Sequence, residues 1–434
     1  MTFSPRPCAL LAVSFVLATA CGGSNGGAAG ESGDGGGDAG SGGSNGGNGS
    51  NGTSGSDTAG SNGSSGGSAG TGSNGGSTGG TGGAGEGGAS TGGDGGSMVS
   101  VPVGSNGNPS GKCTVPASAL AEDVSSPTTV VGNGTADTCT GTAVVDAVHA
   151  GGVVTFNCGS APITITVPEI DIFNDGGKGD GSVTIDGGGL VTLSGGGQNR
   201  VLHQDTCDQS LHWTTSHCQD QDTPHLVLQN IGLTGGSAMA TSSVLGGGAL
   251  YVGGGTFKAY NIRVWSSTQP NLEQDYAGGA IYTFNQATQP VTIVSSTFDG
   301  NSGCNGGALG SIGTSWSIYN SVFSNNKTLG NGENPAKAGT PGGGLGGAIY
   351  NDGDGYTLTI CGTAFMNNTA AELGSGSIFQ VVDDLKGNLD IDQSAFAGNS
   401  NTGSVQSSSH PSIYVEAQDK AGNGGVMITN TTFD

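Results

Sequence analysis

The sequence predicts an all-β chain wound into a parallel solenoid, on three observations. One phrase returns from residue 246 onward: Gly247-Gly248-Ala249-Leu250-Tyr251, Gly278-Gly279-Ala280-Ile281-Tyr282, Gly306-Gly307-Ala308-Leu309 and Gly346-Gly347-Ala348-Ile349-Tyr350. A second phrase, Phe-x-x-Asn, alternates with it at Phe298/Asn301, Phe323/Asn326, Phe365/Asn368 and Phe396/Asn399. Between the two run short stretches of period-two character, such as Val291-Thr292-Ile293-Val294 and Tyr356-Thr357-Leu358-Thr359-Ile360.

The first phrases lie 31, 28 and 40 residues apart, a variable spacing that a coil tolerates because extra residues go into loops at its corners. Period-two alternation sends one set of side chains inside each turn and the other outside. The paired glycines suit corners that need positive φ. A Phe at the same place in successive turns is expected to stack down the interior. Asn301, Asn326, Asn368 and Asn399 are expected to form a ladder whose amides bond to neighbouring turns. Upstream the grammar is looser, with short β-like runs at 153–156, 163–167, 183–186, 190–193, 201–203 and 226–228. Before them, residues 140–152 read as a short amphipathic helix stopped by glycines, placed to cap the first turn and shield its open edge.

Composition divides the chain. Of its 434 residues 91 are Gly, and they crowd into 22–111, which has no aromatic residue and no Lys or Arg. Such a stretch buries too little to offset about 1–2 kcal/mol of backbone entropy per ordered residue, so a disordered Gly/Ser/Asn-rich linker is expected there. The folded domain is expected over 112–434. Residues 1–21, MTFSPRPCALLAVSFVLATAC, have a short basic start at Arg6 and an apolar run too short to span a bilayer, the layout of a secretory signal. Leu17-Ala18-Thr19-Ala20-Cys21 resembles a bacterial lipobox, with Ala18 where Leu is usual. The resemblance implies lipidation at Cys21, and Gly22 after it implies the outer membrane. About ninety linker residues then give an r.m.s. reach of roughly 50 Å.

The run Cys139-Thr-Gly-Thr-Ala-Val-Val-Asp-Ala-Val-His-Ala-Gly-Gly-Val-Val-Thr-Phe-Asn-Cys158, followed by Val183-Thr-Ile-Asp-Gly-Gly-Gly189 and Val191-Thr-Leu-Ser-Gly-Gly, resembles the opening of bacterial right-handed parallel β-helix proteins of the pectin-lyase-like kind. The Gly-Gly-Ala-Ile and Phe-x-x-Asn phrases are similar to the repeats of polymorphic outer-membrane proteins. The resemblance covers about residues 137–434 and implies the fold; it does not fix an activity, because this fold hosts many.

The side chains that bear chemistry are few. An exported chain favours disulfides: Cys139 with Cys158 is expected to staple the helix to the first strand, and Cys207 with Cys218 to close a loop. His203, His212, His217 and His225 fall within 23 residues beside several Asp. They are candidates for a metal, although a structural surface loop is the simpler reading because the spacing matches no closed zinc module. A pectate-lyase-like enzyme needs Ca²⁺-binding carboxylates beside a basic residue. Arg200 and Arg263 are the only arginines of the solenoid, with Asp171, Asp186 and Asp205 as possible flanks for Arg200. The hydrolase motifs Gly-His-Gly and Arg-x-Lys are absent, and Asp383-Asp384 occurs alone.

The net charge of −23 excludes nucleic acid as a partner and suits no cofactor beyond Ca²⁺. The expectation is an outer-membrane-tethered, non-catalytic surface protein that adheres or binds carbohydrate through a β-helix face. The alternative is a polysaccharide lyase or hydrolase acting on acidic glycans. An extracellular polysaccharide or a surface protein is the expected partner, with the membrane reached through the lipid.

Overall fold

The computed structural model describes residues 106–172, 180–208, 221–238, 246–353, 355–372, 375–382, 386–402, 412–416 and 425–434, with the backbone alone over 285–289. The signal, Cys21, most of the linker, His212, His217, Cys218, Asp383 and Asp384 lie outside these residues.

Among the described residues every ladder between strands is parallel, and strands inside the stack pair with the equivalent strands of the turns before and after them; two isolated antiparallel bridges, Asn331–Gly342 and Glu333–Gly343, lie outside the strands. The chain is therefore all-β, a parallel solenoid with one α-helix among the described residues. The turns contribute to three sheets. The first holds 16 strands in two runs, joined where Ile281–Val294 and Leu309–Tyr319 continue from one run into the other. The second holds nine strands, including Arg263–Trp265, Thr297–Asp299, Val322–Ser324, Ala364–Met366 and Ala395–Ala397. The third is a short four-stranded ladder.

Each corner has a backbone device. In the Gly-Gly-Ala phrase the first glycine holds φ near +70° at Gly247, Gly278 and Gly346 and +53° at Gly306. The second admits no side chain at all: a Cβ on Gly279 would lie 2.3 Å from the Gly307 carbonyl oxygen, and one on Gly307 2.2 Å from that of Gly347. The two glycines thus do different work, one turning the chain and the other letting turns touch. The following Ala249, Ala280, Ala308 and Ala348 are fully buried. At the corner leading into the second sheet, the left-handed position is taken by Asn230, Asn261, Ser295, Asn320, Gly362, Gln393 and Asn430 in successive turns. Asn tolerates this region better than other non-glycine residues.

The interior is a set of stacks. Phe298, Phe323, Phe365, Phe396 and Phe433 lie ring on ring at 4.7–5.0 Å, with neighbouring planes within 12° of parallel. Just past them the four Asn of the second phrase form a continuous amide ladder. The Asn326 Oδ1 accepts from the backbone N–H and the Nδ2 of Asn301, both at 3.0 Å. Its Nδ2 donates to the Phe298 carbonyl at 3.0 Å and to Asn368 Oδ1 at 2.9 Å. Asn368 repeats the pattern onto Phe323 and Asn399. All four hydrogen bonds of such an amide are made in a place closed to water.

At the start of the stack, Gly141–Ala150 forms the helix, with the Thr140 hydroxyl capping it by accepting from the Ala143 N–H and Gly151 ending it at φ +71°. Its Val144, Ala147 and Val148 join the solenoid core. Cys139 and Cys158 are bonded, tying the residue before the Thr140 cap to the chain just past the strand Gly152–Phe156.

The last residues of the expected linker are ordered. Residues 106–113 run along the outside of four successive corners. The Asn106 N–H bonds Asn261 Oδ1, the Gly107 N–H bonds Thr297 Oγ1, and the Asn108 N–H bonds the Asn320 carbonyl while its Nδ2 reaches Gly362 O. Cys113 then forms a disulfide with Cys361, 248 residues away. Sequence spacing gave no hint of this second pairing, because its partners belong to distant turns.

The corner geometry makes a sharp prediction. Gly279→Ala is expected to abolish the cooperative unfolding transition, because the added carbon meets backbone that cannot move. Gly300→Ala, with φ +64° but nothing within 4 Å of its Cβ, is expected to cost only about 1 kcal/mol. Asn326→Ala leaves at least three buried polar groups unpaired at about 1–3 kcal/mol each, so denaturant unfolding should show a loss of about 3 kcal/mol or more.

Candidate functional site

The first sheet carries a row of large side chains on its outer surface. Strand register aligns Asp171, His203, Tyr251, Tyr282, Gly310, Tyr350, Phe379 and Tyr414, one from each turn. The Tyr that closes the Gly-Gly-Ala phrase supplies the row, and Gly310 is its one gap. Rings stack at 5.8 Å for Tyr251–Tyr282 and at 5.2 Å for both Tyr350–Phe379 and Phe379–Tyr414, while His203 lies tilted by 31° against Tyr251 at 5.3 Å. Although it faces outward, the row is buried beneath Ala277 and Leu345, forming a second apolar cluster outside the coil. Burial pushes the phenols of Tyr251, Tyr282 and Tyr350 above their ordinary range.

At the N-terminal end of this row several charged groups converge. Arg200 is fully buried. Its Nε donates to Gly247 O at 2.8 Å, its Nη2 to Gly246 O at 3.0 Å and its Nη1 to Glu169 Oε2 at 3.0 Å, while its Cζ lies 5.6 Å from the centre of the Tyr251 ring. Burial lowers the pKa of this guanidinium, and Glu169 opposes the shift. Arg200 is therefore a strut under the Gly246-Gly247 corner and is closed to any substrate. His203 Nδ1 lies 2.9 Å from Asp171 Oδ1. Asp205, two residues further along the same strand, is raised above the usual carboxylate range by desolvation, and its Oδ1 accepts from the Cys207 N–H.

The other candidates are scattered. Asp186, expected beside Arg200, sits instead at a corner, where it accepts from the Gly188 N–H, Gln229 Nε2 and Asn230 Nδ2. Arg263 lies on the second sheet with its Cζ 4.9 Å from the Trp265 ring centre and its Nη2 3.6 Å from Asp299 Oδ2. The two arginines thus belong to separate sites. His225 is exposed, with its Nδ1 2.6 Å from Thr256 Oγ1, and lines a shallow groove of about 320 Å³ with Ser118, Glu122 and Lys258. Of the four candidate histidines, only His203 joins a group able to hold a metal among the described residues, and its companions there are Glu169 and Asp171. Cys207 is disulfide-bonded, and Cys304 is a free buried thiol raised to about 11 by desolvation.

The outer surface of the second sheet is different in kind. Thr234, Trp265, Asp299, Ser324 and Met366 align across five turns, with Arg263, Thr297 and Val322 in the adjacent row. Trp265 is half-buried, and Asp299 is fixed by Ser324 Oγ and Asn325 Nδ2, both at 2.8 Å. Glu169, the Tyr row and Trp265 all escaped the sequence reading; of these, only the Tyr row left a signal, as the last letter of a repeated phrase.

Compared with protein-family models, with curated proteins and with solved structures, the chain gives no match, so its site is read from its own geometry.

One pH effect follows from the corner residues. The Asp392 carboxylate, at the corner facing the last described turn, accepts from Gln393 Nε2, Thr429 Oγ1 and Asn430 Nδ2 and is held down at about 2. Its folded-state pKa lies below its unfolded value, so its stabilisation is present above about pH 4 and is lost as pH falls toward 2. Protection of residues 425–434 from hydrogen exchange, taken relative to the intrinsic rate at each pH, is expected to fall over that window, and Asp392→Asn should remove that loss.

Proposed function

We propose that this chain is an exported lipoprotein of the bacterial outer membrane. In this reading its domain is a right-handed parallel β-helix of the pectin-lyase-like kind, which binds extracellular glycan without cleaving it. The single observation that carries the binding reading is the outer face of the second sheet. Among the described residues it presents one accessible aromatic, Trp265, with the Arg263 guanidinium over its ring and with Asp299 and Ser324 on the next two turns at strand spacings of about 4.8 Å. A sugar ring combines an apolar face with hydroxyls. An aromatic ring with fixed acceptors and donors beside it complements both, and a rigid sheet loses little entropy on binding.

Two further points support the reading. Disulfides at Cys113–Cys361 and Cys139–Cys158 suit an oxidising compartment, in keeping with the secretory signal and the lipobox-like Cys21. Lyase chemistry needs an accessible base among carboxylates; Arg200 is buried in a strut, and Arg263 is stacked on Trp265 beside a single carboxylate.

The test is a glycan array followed by calorimetry on the glycans retained. Trp265→Ala is expected to weaken binding about tenfold or more, with the melting temperature little changed because the side chain is outside the core. Retention unchanged in Trp265→Ala would place binding elsewhere. Release of unsaturated product from polygalacturonate with Ca²⁺ would overturn the non-catalytic reading.

A further inference from the structure

The group at the end of the aromatic row has features that the glycan-binding reading does not use. Glu169 and Asp171 lie on neighbouring positions of one face and His203 on the next turn, and one ligand-capable atom from each falls within 4.8 Å of the others. Two acids alone would signify little on a chain this acidic. The second observation is His203 itself: its side chain is only 10% exposed, and while its Nδ1 meets Asp171 Oδ1 its Nε2 is buried with no hydrogen-bond partner. A buried polar atom without a partner carries a desolvation penalty of about 1–3 kcal/mol unless something binds it. Glu169 and Asp171 each commit one oxygen, to Arg200 and His203 respectively, and each retains the other.

The charges agree. Glu169, Asp171 and Asp205 set three carboxylates against the one guanidinium of Arg200, leaving an excess of negative charge in a partly desolvated place. From these residues we infer that Glu169, Asp171 and His203 form a binding site for a divalent transition-metal ion of the Zn²⁺ or Mn²⁺ type. An imidazole beside carboxylates selects such ions, whereas Ca²⁺ takes six to eight oxygen ligands and gains little from a ring nitrogen. The ion would join the strands Ile170–Asp171 and Leu202–Asp205 on their outer side, at the end of the Tyr row. Its role there is to fasten the early turns of the solenoid, whose corners lack the repeated Gly-Gly-Ala phrase.

The purified full-length chain, stripped with chelator, would be titrated with Zn²⁺, Mn²⁺ and Ca²⁺ by calorimetry, and its thermal midpoint followed with each ion. The expected result is one tightly bound equivalent of Zn²⁺ or Mn²⁺ and a rise in midpoint, since an ion bound only by the folded state stabilises it. Asp171→Asn, at a half-exposed position that tolerates the change, should weaken that equivalent by about tenfold or more, as should Glu169→Gln, with far-UV circular dichroism unaltered. His203→Gln should do the same and tests the buried ligand directly. The double variant His212→Ala/His217→Ala should retain the equivalent. No binding by the wild type, equal binding by Asp171→Asn, preference for Ca²⁺, or loss of the equivalent in the His212/His217 variant would each overturn the assignment.

Discussion

Everything in this solenoid depends on how closely one turn lies on the next. Parallel strands repeat at about 4.8 Å, and that spacing must also hold at the corners, where the chain leaves the ladder and side chains would prop the turns apart. At the Gly-Gly-Ala corner the separation is kept by removing the side chain: the second glycine of one turn faces the carbonyl of the equivalent glycine in the next, with no room for a carbon between them. At the Phe-x-x-Asn corner the same spacing is kept by an amide that reaches exactly one turn in each direction. Once both corners hold their pitch, equivalent residues align in register, and the flat Phe stack and the outer aromatic row follow without further specification.

The repeat was legible because it is periodic. Four copies of two phrases placed the corners, the stacked Phe and the Asn positions, and Thr140 and Gly151 bracketed the helix with recognisable caps. Contacts without a period were not legible. Cys113 and Cys361 meet because a segment crosses several turns outside the coil, a path with no trace in local pattern. Arg200 shows the complementary limit: a sequence records charge but not depth. A guanidinium that looked like a candidate base is spent on two carbonyls and a carboxylate at a corner where the coil needs support. The histidine-rich stretch was similarly read as one cluster, whereas His203 and His225 lie on different runs of the first sheet, and the acidic partners of His203 come from the preceding turn.

The outer surfaces divide the labour. On the first sheet the large side chains are covered and act as an external second core, which thickens the wall of the coil where long strands bridge its two runs. On the second sheet most outward residues are short, Arg263 and Met366 apart, and among the described residues Trp265 is the one large ring there. The same period-two rule produces both faces; what differs is whether a loop folds back over them.

The strap of residues 106–113 gives this design a mechanical meaning. The chain does not enter the stack at its first turn: it lies against the corners at Asn261, Thr297, Asn320 and Gly362, turns back at Cys113, and only then returns past Gln229 to begin the coil at Thr129. Tension arriving from the N-terminal side is therefore delivered to the middle of the rod as shear, spread over several hydrogen bonds and one covalent link. A pull at the first turn would instead unzip it one rung at a time. The turns before Asn261, and the helix that closes the first of them, make none of these strap contacts.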